Sequence, residues 1–226
     1  GKYLSIKHPV GADVVIGVPD SGIPAAIGYA KFSGIPYGVG LIKNRYIART
    51  FIQPGQDKRE RSVRLKLNAL RTAIEGKRVI MVDDSIVRGN TMKHAILPML
   101  DRLGPKRIIV ASSAPPILFP DCYGIDMSTL GELVAFRALV NLAGEGAVTR
   151  ETDLRALAAK FPLADLSAEI ARLVTPAGMR AKVDVVFQSV EALHKACPHT
   201  TGDWYFTGNY PTPGGERVPR RSSGDL

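Results

Sequence analysis

Four apolar residues, Val79-Ile80-Met81-Val82, run into two adjacent carboxylates, Asp83 and Asp84, and then into the loop Ser85-Ile86-Val87-Arg88-Gly89-Asn90-Thr91. This stretch constrains the fold most. An unbroken apolar run of that length reads as a strand buried on both faces, as in a parallel sheet. After the loop, the apolar periodicity from Met92 to Leu103 predicts a helix. In open α/β sheets, ligands sit at the carboxyl ends of strands. A loop leading into a helix N-terminus offers free N–H groups to an anion. The loop therefore suits a phosphate. The acidic pair suits hydroxyls, a metal ion or a developing positive charge. A capped strand with no ligand is the plain alternative for a lone Asp-Asp, and the full run of thirteen residues makes it the weaker one.

The same local grammar occurs earlier. Asp13 to Val18 predicts a buried strand, Pro19-Asp20-Ser21-Gly22 a tight loop, and Ile23 to Ser33 a helix. Such a tetrapeptide alone marks ordinary turns. Further strands are predicted over Tyr37–Ile42, Arg107–Ser112 and Val183–Phe187. Helices are predicted before Val10, over Glu132–Leu142, twice within Gly144–Pro176, and over Ser189–Ala196. The expected class is α/β: an open, mainly parallel sheet with helices on both faces. Residues 1–187 are expected to form one domain with a helical insertion at about 144–180, and 188–226 a C-terminal helix with an extended tail. Cys197 to Gly215 reads as polar and turn-rich.

Charge narrows the partners. The net charge is +9, and much of the positive charge lies between Lys43 and Lys66, a long and poorly periodic segment. A long loop of this kind inside a domain is usually functional or disordered. No zinc-finger spacing, basic zipper or aromatic RNA-binding motif favours nucleic acid. No apolar run is long enough to span a membrane and no signal peptide is visible, so a cytoplasmic location is expected. Two distant cysteines, Cys122 and Cys197, make neither a disulfide framework nor a metal-ligand spacing. Gly1 is no initiator methionine, so the chain is expected to be processed or cut from something longer.

The Asp83–Thr91 motif, with Pro19-Asp20-Ser21-Gly22 one unit before it, resembles the fingerprint of type I phosphoribosyltransferases, which bind 5-phosphoribosyl 1-pyrophosphate (PRPP). Asp83-Asp84-Ser85-Ile86-Val87-Arg88-Gly89 is similar to the amidophosphoribosyltransferase family in particular. Lys43-Asn44-Arg45-Tyr46 and Arg49-Thr50-Phe51-Ile52 resemble that family's flexible loop, with Ala48 where the family usually has Gly. Phe119 to Met127 resembles its segment beside the base or ammonia site, and Phe206 to Thr212 is again family-like.

The resemblance implies transfer of a phosphoribosyl group from PRPP to ammonia, giving 5-phosphoribosylamine and pyrophosphate in the first step of purine synthesis. It implies that Ser85, Ile86, Val87, Arg88, Gly89, Asn90 and Thr91 cradle the 5′-phosphate, and that Asp20, Ser21 and Gly22 bind pyrophosphate. Asp83 and Asp84 would meet the ribose hydroxyls, and Lys43, Arg45 and Arg49 the leaving pyrophosphate. Mg²⁺ would be held by Ser21, Asp83 and Asp84, while Tyr123 and Asp126 would lie beside the acceptor. A homo-oligomer and purine nucleotide inhibitors are further implied. The family's glutaminase half, led by a cysteine, is not seen here, so free ammonia or a glutaminase domain or partner is the expected nitrogen source. Some members bind an iron–sulfur cluster, but Cys197 stands without a Cys-x-x-Cys, and none is expected. The alternatives are a phosphoribosyltransferase for another base, such as orotate or a purine, and a non-enzymatic PRPP-binding regulator.

Overall fold

The computed structural model describes residues 1–44, 67–127, 129–144, 146–149 and 152–215. The chain forms two compact units. The first comprises Gly1–Asp84, Asn90–Ser113 and Val174–Val186, and the second Ser85–Gly89, Ala114–Leu173 and Phe187–Leu226. Most of the expected Lys43–Lys66 loop, including Arg45 and Arg49, lies outside the described residues.

The first unit is built on a four-stranded sheet. Its strands are β1 (Val14–Gly17), β4 (Arg78–Asp83), β5 (Arg107–Ser112) and β6 (Lys182–Phe187), in the spatial order β1-β4-β5-β6. β1 pairs parallel with β4, and β4 parallel with β5, as the apolar runs predict. Val79 to Val82 are fully buried, because a central parallel strand is covered on both faces. Helix α2 (Gly22–Ser33) lays Ala26, Tyr29 and Ala30 on Val15, Ile80, Val82, Ile109 and Ala111. The buried Tyr29 hydroxyl donates to the His8 carbonyl at 2.7 Å, just past α1 (Lys2–Lys7), so no polar atom is left orphaned there. At the other end of the sheet, Asp13 accepts from the Arg78 backbone N–H and from its guanidinium, each at 2.7 Å.

Two sequence expectations change form. Tyr37–Ile42 does not add a full strand to this sheet. Tyr37 makes only a parallel bridge to Val15, and β2 (Leu41–Lys43) pairs antiparallel with β3 (Leu67–Ala69) in a separate two-stranded sheet. Gly38 and Gly40 explain the tight passage between them. A Cβ on Gly40 would lie 2.5 Å from Ile16 Cγ2, so only glycine lets the backbone graze β1 there. A short helix α3 (Arg71–Ile74) follows β3. The Met92–Leu103 helix begins as a π-helical turn, Met92–Ile96, and becomes α4 (Leu97–Asp101). Pro98 has no N–H to return to the preceding turn, which breaks the regular ladder at that point.

In the second unit, a one-turn Leu130–Glu132 segment leads into α5 (Val134–Ala143). The expected pair of amphipathic helices is present as α6 (Leu154–Ala158) and α7 (Leu163–Val174). Asp153 caps α6 by accepting from the backbone N–H groups of Arg155 and Ala156. The core contains Ile117, Phe119, Leu133, Phe136, Leu154 and Tyr210. After α8 (Val190–Ala196) the chain was expected to be a polar tail, yet it turns through α9 (Trp204–Thr207) and buries Tyr210. The Tyr210 hydroxyl donates to the Pro120 carbonyl at 2.6 Å, and Leu118 and Phe119 both donate backbone N–H bonds to the Tyr205 carbonyl. No helix among the described residues is long and apolar enough to cross a membrane.

Candidate active site

In the first unit, the loop after β1 is locked to the end of β4. Val18 donates its backbone N–H to the Val82 carbonyl at 2.9 Å, and Gly22 donates to the Val18 carbonyl at 2.9 Å. The Pro19–Asp20 peptide is cis. A Cβ on Gly22 would sit 2.5 Å from the Val82 carbonyl oxygen, so this position admits only glycine without rearrangement. Ser21 stands at the N-cap of α2, and Asp20 pairs with Lys43 of β2 at 2.6 Å. Thus Lys43 and the Asp20–Gly22 loop come together, with Lys43 held by a carboxylate.

Asp83 and Asp84 leave β4 side by side. One Asp83 carboxylate oxygen accepts the Asp84 backbone N–H at 2.9 Å. Ser113, just past β5, donates its N–H to the Asp83 carbonyl and its hydroxyl to the Asp84 carbonyl. Burial, reinforced by the neighbouring Asp84 carboxylate, pushes Asp83 up to about 7. Such a carboxylate gains from a cation or from hydroxyl donors. No group of three or more His, Cys, Asp or Glu suited to a metal occurs among the described residues. Mg²⁺ needs no such cage, because it takes one or two carboxylates together with substrate phosphates. The acidic pair fits that mode. Asn90 and Thr91 lead into the π-helical turn.

In the second unit, the loop Ser85–Gly89 is gripped from the α5 side. The Val87 carbonyl accepts the Val134 N–H at 2.9 Å, and the Arg88 carbonyl accepts Arg137 Nη2 at 2.9 Å. The Arg88 guanidinium donates through Nε to Glu132 at 2.7 Å and through Nη2 to the Asp126 carbonyl and carboxylate, both at 3.3 Å. Asp121 organises the following turn. Its carboxylate accepts the N–H groups of Tyr123 and Ile125 and the Tyr205 hydroxyl, at 2.8, 2.7 and 3.0 Å. Burial alone would raise the Asp121 carboxyl, but these donors hold it below the usual carboxylate range. Tyr123 stacks edge-on against Trp204 and shares a hydrogen bond with Thr212.

Residues 6–116 match the model of the phosphoribosyl transferase domain. The amidophosphoribosyltransferase of Bacillus subtilis is 59% identical over 135 residues, which is 60% of this chain and 28% of the relative. That of Methanothermobacter thermautotrophicus is 53% identical over 135 residues, with the same coverage. The solved glutamine PRPP amidotransferase from B. subtilis, complexed with ADP and GMP, superposes with a TM-score of 0.63 at 43% identity, covering 93% of this chain and 40% of that one. Residues 6–116 form a phosphoribosyl transferase domain, with the type I phosphoribosyltransferase fold. The chain spans 28% of the length of each of the two curated relatives.

The phosphoribosyltransferase fold thus places Asp20, Ser21, Gly22, Lys43, Asp83, Asp84, Asn90 and Thr91 in one unit, and Ser85–Gly89 with Tyr123 and Asp126 in the other. Arg45 and Arg49 lie outside the described residues. Sequence reasoning missed Asp121, Glu132 and Arg137. Asp121 had a signal, since an Asp two residues before a turn position often accepts its N–H. Arg137 had none, because it lies 49 residues from the Arg88 carbonyl it holds.

Proposed function

We propose that this domain transfers the phosphoribosyl group of PRPP to ammonia, releasing pyrophosphate and 5-phosphoribosylamine, the first product of purine synthesis. The observation that carries this reading is the Asp83–Asp84 pair at the end of β4, running without interruption into a loop whose Val87 and Arg88 carbonyls are tied away. Cleavage of the ribose C1–O bond builds positive charge on the sugar, as in glycoside hydrolysis. Asp83 and Asp84 bind the ribose 2′- and 3′-hydroxyls and offset that charge. Backbone N–H groups and hydroxyls of Ser85–Thr91 hold the 5′-phosphate. The Asp20–Gly22 loop holds the pyrophosphate, and Lys43, with Arg45 and Arg49, neutralises it as it leaves. Mg²⁺, held by Asp83, Asp84 and Ser21, would supply further neutralisation of the pyrophosphate. Tyr123 and Asp126 border the acceptor.

Free ammonia is the proposed nitrogen donor of the chain as it stands. Glutamine hydrolysis needs an activated nucleophile. Cys122 and Cys197 are both exposed, and His194, three residues before Cys197, is paired with Asp203 at 3.0 Å. Purine nucleotides are the proposed inhibitor class, supported by the ADP and GMP in the B. subtilis enzyme. A cytoplasmic homo-oligomer, working with a glutaminase domain or partner, completes the proposal. The test is pyrophosphate release from PRPP and Mg²⁺ with ammonium chloride at alkaline pH, run beside glutamine and free nucleobases. Release with ammonia, and no glutamate from glutamine, is expected. Release only with a nucleobase would reassign the acceptor. PRPP binding without any release would make the chain a PRPP-binding regulator.

A further inference from the structure

We infer that Arg137, seconded by Glu132, is a positioning residue that turns the phosphate loop's N–H groups toward its anion. The inference rests on the proposed 5′-phosphate role of Ser85–Thr91. A trans peptide points its C=O and N–H in opposite directions, and the cis bond among the described residues is Pro19–Asp20. The Val87 carbonyl is fixed on Val134 of α5, so the Arg88 N–H points away from α5. The Arg88 carbonyl is fixed on Arg137, so the Gly89 N–H points away as well. Two successive N–H groups are thereby presented on the face opposite the helix, the arrangement that makes an anion-binding concavity.

This anchoring is needed at Gly89. Its φ of 78° lies in the left-handed region, and glycine visits either sign of φ readily. An unanchored Arg88–Gly89 peptide could rotate and turn its carbonyl, the negative end, toward the phosphate. Glu132 acts one step further out. With Asp126 it holds the Arg88 guanidinium on the α5 side, so that side chain braces the loop. An arginine in a phosphate loop would ordinarily be read as a phosphate ligand. Here its Nε and Nη2 both donate to carboxylates.

The test uses the full chain with Arg137→Met, Arg137→Lys and Glu132→Gln. Methionine keeps the apolar stem of Arg137, which is exposed, and removes the donors. Two binding probes separate the ends of the substrate: ribose 5-phosphate for the loop and pyrophosphate for the Asp20–Gly22 end. Arg137→Met should weaken ribose 5-phosphate binding and raise the PRPP KM about three- to tenfold, as expected for one charge-assisted bond at an exposed site. Pyrophosphate affinity and the ammonia KM should stay unchanged. Arg137→Lys should recover most of the loss, and Glu132→Gln should show a smaller loss of the same kind. Unchanged ribose 5-phosphate affinity in Arg137→Met, or an equal loss for both probes, would overturn the inference. If the wild type binds ribose 5-phosphate but releases no pyrophosphate with ammonia, the proposed reaction fails while the variants still decide the role of Arg137. If the wild type binds no ribose 5-phosphate, both readings fall.

Discussion

The two units bury their cores in opposite ways. In the first, the strands supply runs of consecutive buried residues: Val14–Gly17, Val79–Val82 and Ile108–Ser112. In the second, Ile117, Phe119, Leu133, Phe136, Leu154 and Tyr210 arrive one or two at a time from loops and short helices. A run carries its own burial, because each strand is covered on both faces wherever it lies in the sheet. A set of isolated anchors carries none until distant segments meet. The candidate site divides along the same line: the acidic pair grows out of a buried strand, whereas the Ser85–Gly89 loop is held by residues far away in sequence.

The largest expected effect probes that scattered core. Phe136→Ala should cost about 3–5 kcal/mol, since Phe136 is fully buried and the void has few nearby segments to close it. Amide exchange should accelerate more in the second unit than along β4 and β5. Equal acceleration would erase the contrast drawn between the two cores.

Next comes Asp83→Asn. PRPP turnover should fall by about a hundredfold, as for loss of a group aimed at developing charge. Stability should move the other way. Because the folded-state value of Asp83 is raised, its contribution is full below the unfolded value near 3.8 and is lost as pH rises through about 7. Without ligand, the variant should therefore melt above wild type at pH 8, with the gap closing toward pH 4. A variant that melts lower at pH 8 would make Asp83 a structural residue.

Gly22→Ala should cost about 1–3 kcal/mol by pressing a methyl against the Val82 carbonyl, with pyrophosphate affinity reduced alongside. A variant with unchanged melting would mean that the loop after β1 yields more easily than the sheet. Tyr205→Phe should cost only about 1 kcal/mol, the worth of the hydroxyl donated to Asp121. Smallest is Asp13→Asn. Arg78 holds the Asp13 carboxyl well below the usual carboxylate range, so its contribution is full above about pH 4 and fades as pH falls. The variant should lose a little stability at pH 7 and show a shallower acid transition, which thermal melts across pH would reveal.

The same contrast explains what could be read in advance. Val79–Val82, the acidic pair and the glycine-bearing loops are local patterns, so the parallel sheet, with Asp83 and Asp84 at the end of its β4, followed from them. The Tyr37–Ile42 run misled because Gly38 and Gly40 let the chain skim β1 and leave it. Trp204, Tyr205 and Tyr210 have neither a 2-residue nor a 3.6-residue spacing, so their segment read as a tail although Tyr210 is core. Arg88 was legible as part of the loop. Its turn toward Glu132 and Asp126 was not, because those partners lie 44 and 38 residues away.

The burial of Tyr210 has a consequence for the nascent chain. A polypeptide emerges from the ribosome in order, and early segments fold first. The buried residues that pack α2 against the sheet all lie between Leu4 and Ala111, so that layer can close while translation continues. The other core waits for Tyr210, leaving Phe119, Leu133 and Phe136 uncovered in the meantime. Chains stalled or truncated before that residue would carry both a folded sheet and an uncovered apolar surface, the kind of species that chaperones and proteases engage.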